Sequence, residues 1–258
     1  MKITTLIAAA ATAIALGTGA ASAETVKVGV AAEPYPPFTS PDSQGNWSGW
    51  EVDLMNAICG EAKLDCVITP VAWDGIIPAL TSGQIDMIMS SMSITAKRAK
   101  VVDFSDKYYV TPAAIAVAKD ADFGMSPEDL EGKVIGVQVA TTNAAYAKKF
   151  FSKGSTVKEY QTQDQVNQDL SAGRIDADIA DQFTLDAFVK SEDGMACCKV
   201  LGALPYDEET LGSGIGAAFR QEDDALREKF NAGLAAVRAS GAYDKITAKY
   251  FDFDIYGG

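Results

Sequence analysis

The chain has 258 residues and a formal net charge of −13 at pH 7, with no histidine. This length suffices for one large domain or two small ones. The absence of histidine excludes Ser-His-Asp and Cys-His catalysis and every histidine-based metal site. The acidic charge argues against nucleic acid and anionic lipid as partners, because both carry negative charge themselves.

The first 23 residues have the pattern of a secretory signal peptide. Lys2 supplies a short positive start, residues 3–16 are almost all apolar or small, and Ala21-Ser22-Ala23 forms an A-x-A cleavage pattern. An uncleaved anchor helix is the alternative, but the stretch is too short and too rich in alanine for a good anchor. We therefore predict cleavage after residue 23 and a periplasmic mature protein.

Two parts of the chain resemble each other. Residues 80–91 (LTSGQIDMIMSS) and 170–181 (LSAGRIDADIAD) both read as a helix that ends at a glycine, followed by a strand that opens on Ile-Asp. A second pair precedes them, with predicted strands at 27–30 (KVGV) and 133–137 (KVIGV). Two similarities in the same order indicate an internal repeat.

Helical patterns at residues 51–61 and 143–153 separate the paired strands, so each half reads strand, helix, strand, helix, strand. Such an order predicts parallel strands joined by right-handed crossovers. We predict an α/β protein with two similar lobes, each a βαβ-type sheet flanked by helices. Ligands of such sheets bind beyond the carboxyl ends of the strands, where the repeat places Ser90, Ser91 and Asp181.

Four cysteines in an exported chain favour disulfides over a metal site. Cys59 and Cys66 lie at the end of a predicted helix and the start of a predicted strand, where a bridge would tie the helix to its sheet. Cys197 and Cys198 are adjacent, and because vicinal bridges are rare their state stays open. We predict no metal, no cofactor and no catalytic residue.

A free amino acid needs donors for its carboxylate and an acceptor for its ammonium. Arg98 lies close behind a predicted strand end, and a guanidinium is the best partner of a carboxylate. A solvated basic helix start with Lys97 and Lys100 is the alternative. Thr141 and Thr142 precede a predicted helix, whose N-terminal N–H groups can bind an anion; a plain threonine cap is equally open.

Two aromatic residues are candidate walls for a ligand side chain. Tyr35 follows the first predicted strand, and Trp73 precedes a predicted helix at residues 76–82. Aromatic rings suit an aliphatic or cationic side chain. Packing in the core is an equally good interpretation of both residues.

Several motifs together resemble the bacterial extracellular solute-binding proteins, family 3. They are GWEVDL at 49–54, SSMSIT at 90–95 with Arg98, DFSD at 103–106, and the closing segment 243–253 with its YD and FDF. The resemblance runs in order from about Val26 to the C-terminus and is strongest to the lysine/arginine/ornithine- and histidine-binding proteins. It implies the two-lobed periplasmic binding protein fold and a monomer that delivers an amino acid to the membrane permease of an ABC transporter.

The resemblance also implies a ligand-binding set drawn from both lobes. Its members are Tyr35, Trp73, Ser91, Ser93, Arg98, Thr141, Thr142, Asn143 and Asp181. Ser90, which the repeat places at the same strand end, is a further ligand-binding candidate. Arg98, the Thr142 backbone and Ser93 would hold the carboxylate. Asp181 and Ser91 would take the α-ammonium, the two aromatic rings would flank the side chain, and Thr141 and Asn143 would line the rim of lobe 2. Cys59 and Cys66 match a disulfide of that subgroup.

One position departs from the pattern. Where those proteins carry an aspartate for a cationic side chain, this chain has Ala32, with Glu33 next. Neighbouring strand residues point to opposite faces, so Glu33 is a candidate whose reach is open. We expect a polar or basic amino acid, or an opine-like derivative.

Family members cross between their lobes twice, and we place these crossings near Thr111-Pro112 and near Pro205. Lobe 1 then comprises residues 24–111 plus 205–258, and lobe 2 residues 112–204.

Two alternatives use the same scaffold. A cyclohexadienyl or arogenate dehydratase would need a carboxylic acid in the cleft to protonate a leaving hydroxyl. Asp181 is the obvious acid, and an ammonium-binding role fits it better, so we predict that the chain is not an enzyme. A sensor domain that presents its closed form to a membrane receptor is the other alternative, which the sequence does not separate from transport.

Overall fold

The computed structural model describes residues 24–257, so the predicted signal peptide lies outside the described residues. The described chain forms two α/β halves, each built on a five-stranded sheet. We call the half that contains the first sheet lobe 1 and the other half lobe 2. Among the described residues, none of the helices combines the length and apolarity that crossing a membrane requires.

The sheet of lobe 1 has the order β4-β1-β5-β12-β6. Its strands are β1 (Glu24–Ala31), β4 (Leu64–Val71), β5 (Met87–Ile88), β6 (Asp103–Phe104) and β12 (Ala218–Phe219). β1 runs parallel to β4 and β5, whereas β12 is antiparallel to β5 and β6. A small antiparallel pair, β2 (Ser40–Pro41) and β3 (Trp47–Ser48), precedes the first helix.

The sheet of lobe 2 has the order β11-β7-β10-β8-β9. Its strands are β7 (Ala113–Ala118), β8 (Val134–Gln138), β9 (Thr156–Tyr160), β10 (Ala177–Asp181) and β11 (Cys198–Ala203). β8 is parallel to β9 and β10, and β7 is antiparallel to β10 and β11. The predicted parallel βαβ core is therefore present in both lobes, and each sheet also carries antiparallel strands that the sequence did not predict.

Helices surround the two sheets. They are α1 (Trp50–Ala62), α2 (Ile76–Thr81), α3 (Thr142–Phe150), α4 (Gln163–Ser171), α5 (Gln182–Lys190), α6 (Glu192–Cys197), α7 (Glu208–Leu211), α8 (Asp224–Ala239) and α9 (Ala242–Thr247). The helix predicted at 143–153 is shorter in the structure, where α3 ends at Phe150. Cys59 of α1 is bridged to Cys66 of β4, as expected, and Cys197 is bridged to Cys198.

The internal repeat has a physical basis in both lobes. Gly83 and Gly173 follow α2 and α4 with positive φ angles of 76° and 67°, which glycine adopts without steric cost. The aspartate of each Ile-Asp pair then accepts a backbone N–H from the neighbouring strand: Asp86 from Lys27 at 2.9 Å, and Asp176 from Val134 at 2.8 Å. The repeated motif therefore ends a helix and anchors the start of a strand.

The chain passes twice between the sheets. The first passage lies between β6 and β7, and the second between β11 and β12. In the second passage α7 contacts lobe 2, since Lys149 of α3 lies 2.9 Å from Asp207 and 2.7 Å from Glu209. The crossing points near Thr111-Pro112 and Pro205 stay predictions.

Candidate ligand-binding site

A cavity with an empty volume of about 430 Å³, part of it open to solvent, lies between the two lobes. Its lining is shared between the lobes and comprises Ala31, Glu33, Tyr35, Trp73, Ser90, Ser91, Ser93, Arg98, Gln138, Thr141, Thr142, Asn143 and Asp181. Every residue that the sequence analysis selected for ligand binding lines this cavity. Their individual roles toward a ligand stay predictions.

Arg98 reaches from lobe 1 to the start of α3 in lobe 2. Its Nη1 donates to the carbonyl oxygen of Ser93 at 2.9 Å, and its Nη2 to that of Ala140 at 3.2 Å. Burial lowers the pKa of Arg98 to about 10, although the negative charge of Asp181 acts to raise it. The guanidinium therefore stays protonated at neutral pH. Because a guanidinium has five N–H donors, donors remain for a ligand carboxylate.

The basic run around Arg98 divides into two environments. Lys97 and Lys100 are exposed, whereas the Arg98 side chain turns into the cleft and lies 5.4 Å from the centroid of the Trp73 ring. The alternative of a purely solvated basic helix start therefore describes the lysines and not the arginine.

The N-terminus of α3 also faces the cavity and lies beside the Arg98 guanidinium. Thr141 caps the helix, and its Oγ1 accepts the N–H of Ala144 at 3.0 Å. The next two backbone N–H groups, of Thr142 and Asn143, belong to the first turn, where helix geometry supplies no acceptor. The hydroxyls of Thr142 and Ser93 lie 3.2 Å apart across the lobes. Cap and anion site are thus compatible here, because different residues supply them.

Asp181 ends β10 and points into the other side of the cavity. Its Oδ2 accepts from the Tyr35 hydroxyl of lobe 1 at 2.9 Å, and its Oδ1 from Asn143 Nδ2 at 2.9 Å. Burial raises the pKa of Asp181, while these two hydrogen bonds and the charge of Arg98 oppose the rise. Both donors are neutral, so the carboxylate charge is left for a cation.

The two adjacent serines serve different purposes. Ser90 is buried, and its Oγ accepts the backbone N–H of Ala31 at 2.9 Å, which fixes the end of β1. Ser91 has a left-handed backbone, with φ 51°, and both its N–H and its hydroxyl contact the carboxylate of Glu51. The Ser90 hydroxyl oxygen therefore holds the end of β1, whereas the Ser91 hydroxyl, which contacts Glu51, keeps lone pairs that a ligand in the cavity could use.

Glu33 reaches the cavity, although its neighbour Ala32 is exposed. Its Oε1 accepts from Gln138 Nε2 of lobe 2 at 2.9 Å, and the same amide donates to the carbonyl oxygen of Gln161 at 3.2 Å. Burial raises the pKa of Glu33, opposed by hydrogen bonds from its own backbone and from Gln138. The Glu33 side chain therefore reaches far enough for its carboxyl group to lie in the cleft.

Gln138 is a lining residue that the sequence analysis missed. It is the last residue of β8, and the rule that ligands bind beyond the carboxyl ends of strands would have selected it. Its signal was weak because a glutamine at a strand end is unremarkable in a sequence.

Two α/β lobes that meet at one cavity, with a partly buried guanidinium on one lobe and a buried carboxylate on the other, define a two-lobed binding protein for a small solute. The chain belongs to the bacterial extracellular solute-binding proteins, family 3, whose model matches residues 26–253. The predicted family and the solute-binding role are therefore confirmed.

Relatives and solved structures agree with this assignment. The chain is 41% identical over 258 residues to the L-arginine-binding protein of Pseudomonas aeruginosa, a match that covers 99% of this chain and 98% of the relative. It is 40% identical over 226 residues to the histidine-binding periplasmic protein of Escherichia coli K12, covering 87% and 86%. The structure of an ancestral arginine-binding protein bound to arginine matches with a TM-score of 0.81 and 38% identity, covering 89% of this chain and 99% of that one.

Proposed function

We propose that the chain is a periplasmic binding protein that captures an α-amino acid with a cationic side chain, arginine first, and delivers it to the permease of an ABC transporter. The observation that carries the proposal is one cavity between the lobes that Arg98 and Asp181 line from opposite lobes, with Glu33 as a further carboxyl group.

The two charged ends of an amino acid match the two sides of the cavity. The carboxylate would accept from Arg98 and from the N–H groups of Thr142 and Asn143, which are pure donors. The α-ammonium would donate to Asp181 and to the Ser91 hydroxyl oxygen. Closure of the lobes by a hinge motion removes water and strengthens these charged contacts.

The side-chain specificity rests on Glu33 and Gln138. Gln138 uses its Nε2 in two hydrogen bonds to protein oxygens, so its amide oxygen remains as an acceptor beside the Glu33 carboxylate. Together they offer acceptors to the donors of a guanidinium or ammonium head, while Tyr35 and Trp73 provide aromatic surfaces for the stem. Two matched proteins support arginine as the ligand. The relative found by sequence is named an L-arginine-binding protein, and the matched structure is that of an ancestral arginine-binding protein bound to arginine.

Isothermal titration calorimetry with the purified chain tests the proposal. We expect L-arginine to bind with a dissociation constant of about 1 μM or tighter, corresponding to about −8 kcal/mol or more, and L-glutamate to give no binding heat. The Arg98→Ala variant should lose arginine binding. A matched control is Arg174→Ala, which removes an exposed arginine paired with Asp169 in lobe 2. Binding of neutral amino acids without any basic one would refute the side-chain assignment, and binding of no amino acid would refute the whole.

Export, oligomeric state and delivery are further parts of the proposal. N-terminal sequencing of periplasmic protein should begin at Glu24, and light scattering should give the mass of one chain. Uptake of labelled arginine by cells that lack the gene should recover only when the chain and its permease are both supplied. Uptake that is independent of the chain would contradict the delivery role.

That the chain is not an enzyme stays a prediction. The cavity holds two carboxyl groups with raised pKa values, Asp181, which the sequence predicted as a cleft acid, and Glu33, which it did not. Incubation with prephenate or arogenate, followed by aromatic absorbance, tests the dehydratase alternative. We expect no absorbance change beyond that of the buffer control.

A further inference from the structure

A buried carboxylate beneath the cavity takes no part in the proposed ligand contacts. Glu51 lies in the first turn of α1, is 1% exposed and is not among the residues that line the cavity. A buried carboxylate is costly unless its oxygens are hydrogen-bonded. Glu51 accepts from the hydroxyl of Tyr108 and makes two contacts with Ser91, which does line the cavity.

The donors around Glu51 fix the direction of each hydrogen bond. The Ser91 N–H can only donate, and it reaches Glu51 Oε1 at 2.8 Å. The Tyr108 hydroxyl donates to the same oxygen. The remaining contact, 3.1 Å long, joins Ser91 Oγ to Glu51 Oε2. Burial raises the pKa of Glu51, and the hydrogen bonds from Tyr108 and Ser91 oppose the rise. These donors stabilise the ionised carboxylate, which can only accept. The hydroxyl hydrogen of Ser91 is therefore directed at Glu51.

This direction determines what Ser91 can offer a ligand. A hydroxyl has one hydrogen and two lone pairs. With the hydrogen committed to Glu51, only lone pairs remain for the cavity. The left-handed backbone of Ser91, with φ 51°, is uncommon for a residue other than glycine, and the N–H bond to Glu51 helps to hold it there.

We infer that Glu51 is a positioning residue that makes the Ser91 hydroxyl an obligate hydrogen-bond acceptor and thereby directs the ammonium end of the ligand to Ser91. A carboxylate or another acceptor at the same place would face lone pairs and be rejected. The inference rests on the proposed function, since it names the residue that sets the orientation of an amino acid in that cavity.

A double-mutant cycle tests this inference. In Glu51→Gln the amide oxygen can keep the bonds from the Ser91 N–H and from Tyr108, but the amide nitrogen now donates to Ser91 Oγ and turns the hydroxyl hydrogen toward the cavity. We expect arginine affinity to fall roughly 10- to 100-fold, as for the loss of a hydrogen bond to a charged group. In a Ser91→Ala background the same change should cost less than about threefold.

A ligand without the ammonium group separates positioning from structural damage. 5-Guanidinopentanoate is arginine with hydrogen in place of the α-ammonium, and its weaker binding is measured by competition. Glu51→Gln should change the affinity for 5-guanidinopentanoate by less than about threefold. Tyr108→Phe is the control, because it removes a donor to Glu51 that does not touch the Ser91 hydroxyl. In this variant the ratio of the arginine affinity to the 5-guanidinopentanoate affinity should stay within about threefold of that of the unaltered chain. Equal losses for both ligands, or an undiminished effect of Glu51→Gln without the Ser91 hydroxyl, would overturn the inference.

Two further outcomes keep the test decisive. Circular dichroism shows whether Glu51→Gln folds. If it does not, Ser91→Ala alone should weaken the binding of arginine about tenfold and that of 5-guanidinopentanoate less than about threefold. Equal losses of affinity for both ligands would again overturn the inference. If the unaltered chain binds no amino acid, the proposed function itself fails before any variant is compared.

Discussion

Replacing Asp181 by asparagine removes one charge from the cavity and leaves its shape nearly intact. The carboxylate accepts from the Tyr35 hydroxyl and from Asn143 Nδ2, both at 2.9 Å. Asparagine keeps one acceptor oxygen for Asn143, and the tyrosine hydroxyl can rotate to accept from the new amide. The ligand ammonium then loses its only charged partner among the residues that line its side of the cavity.

The size of the effect follows from that lost charge. Removing one partner of a buried ion pair costs about 3–5 kcal/mol, and each 1.4 kcal/mol is about tenfold in affinity. We therefore expect Asp181→Asn to weaken arginine binding by roughly 100- to 4,000-fold in isothermal titration calorimetry at neutral pH.

A matched control lies on the same strand. Asp178 of β10 is fully buried but does not line the cavity, so Asp178→Asn should bind arginine within about threefold of the unaltered chain. A loss of less than about tenfold in Asp181→Asn, or equal losses in both variants, would refute the assignment of the ammonium to Asp181.

Three further predictions concern specificity and stability. Glu33→Gln should weaken the binding of arginine about tenfold or more and change the binding of glutamine by less than about threefold. The cationic head of arginine loses a charged acceptor, which the neutral amide of glutamine does not need. Competition calorimetry measures both affinities. Burial raises the pKa of Asp178 from 3.8 to about 7, so the folded state binds this proton more tightly than the unfolded chain. The contribution of Asp178 to the free energy of unfolding should therefore fall by up to about 4 kcal/mol as pH rises from about 4 to 7. Urea unfolding should accordingly show Asp178→Asn gaining stability over the unaltered chain at pH 8 and not at pH 4; an equal difference at both values would contradict this. Replacing Cys59 and Cys66 by serine opens a loop with a sequence separation of 7 and should lower the free energy of unfolding by about 2.5 kcal/mol, whereas an unchanged urea midpoint would show that the bridge contributes nothing.

The repeated part of the fold was predictable because its signals are local. Gly83 and Gly173 end their helices, and Asp86 and Asp176 anchor the neighbouring strands, so each lobe carries the same short motif in its sequence. The antiparallel strands β6, β7, β11 and β12 have no such signal. They join the sheets by pairing across long stretches of chain, which a local pattern does not report.

The site was predictable where a residue follows a strand end, and otherwise it was not. Ser91 and Asp181 were found because the repeat aligns them at equivalent strand ends. The sequence did not distinguish the binding role of Arg98 from the solvated roles of Lys97 and Lys100, because only the tertiary structure determines which of these cations turns into the cleft. Glu51 lies in the GWEVDL motif, but the sequence did not indicate its role, since that role depends on two contacts with a residue forty positions away.

A crystal structure of the chain with L-arginine tests the central claim most directly. It should show the ligand carboxylate about 3 Å from the Arg98 guanidinium and from the N-terminus of α3, and the α-ammonium about 3 Å from Asp181. Arginine bound with its ends reversed, or bound outside the cleft between the lobes, would contradict the account.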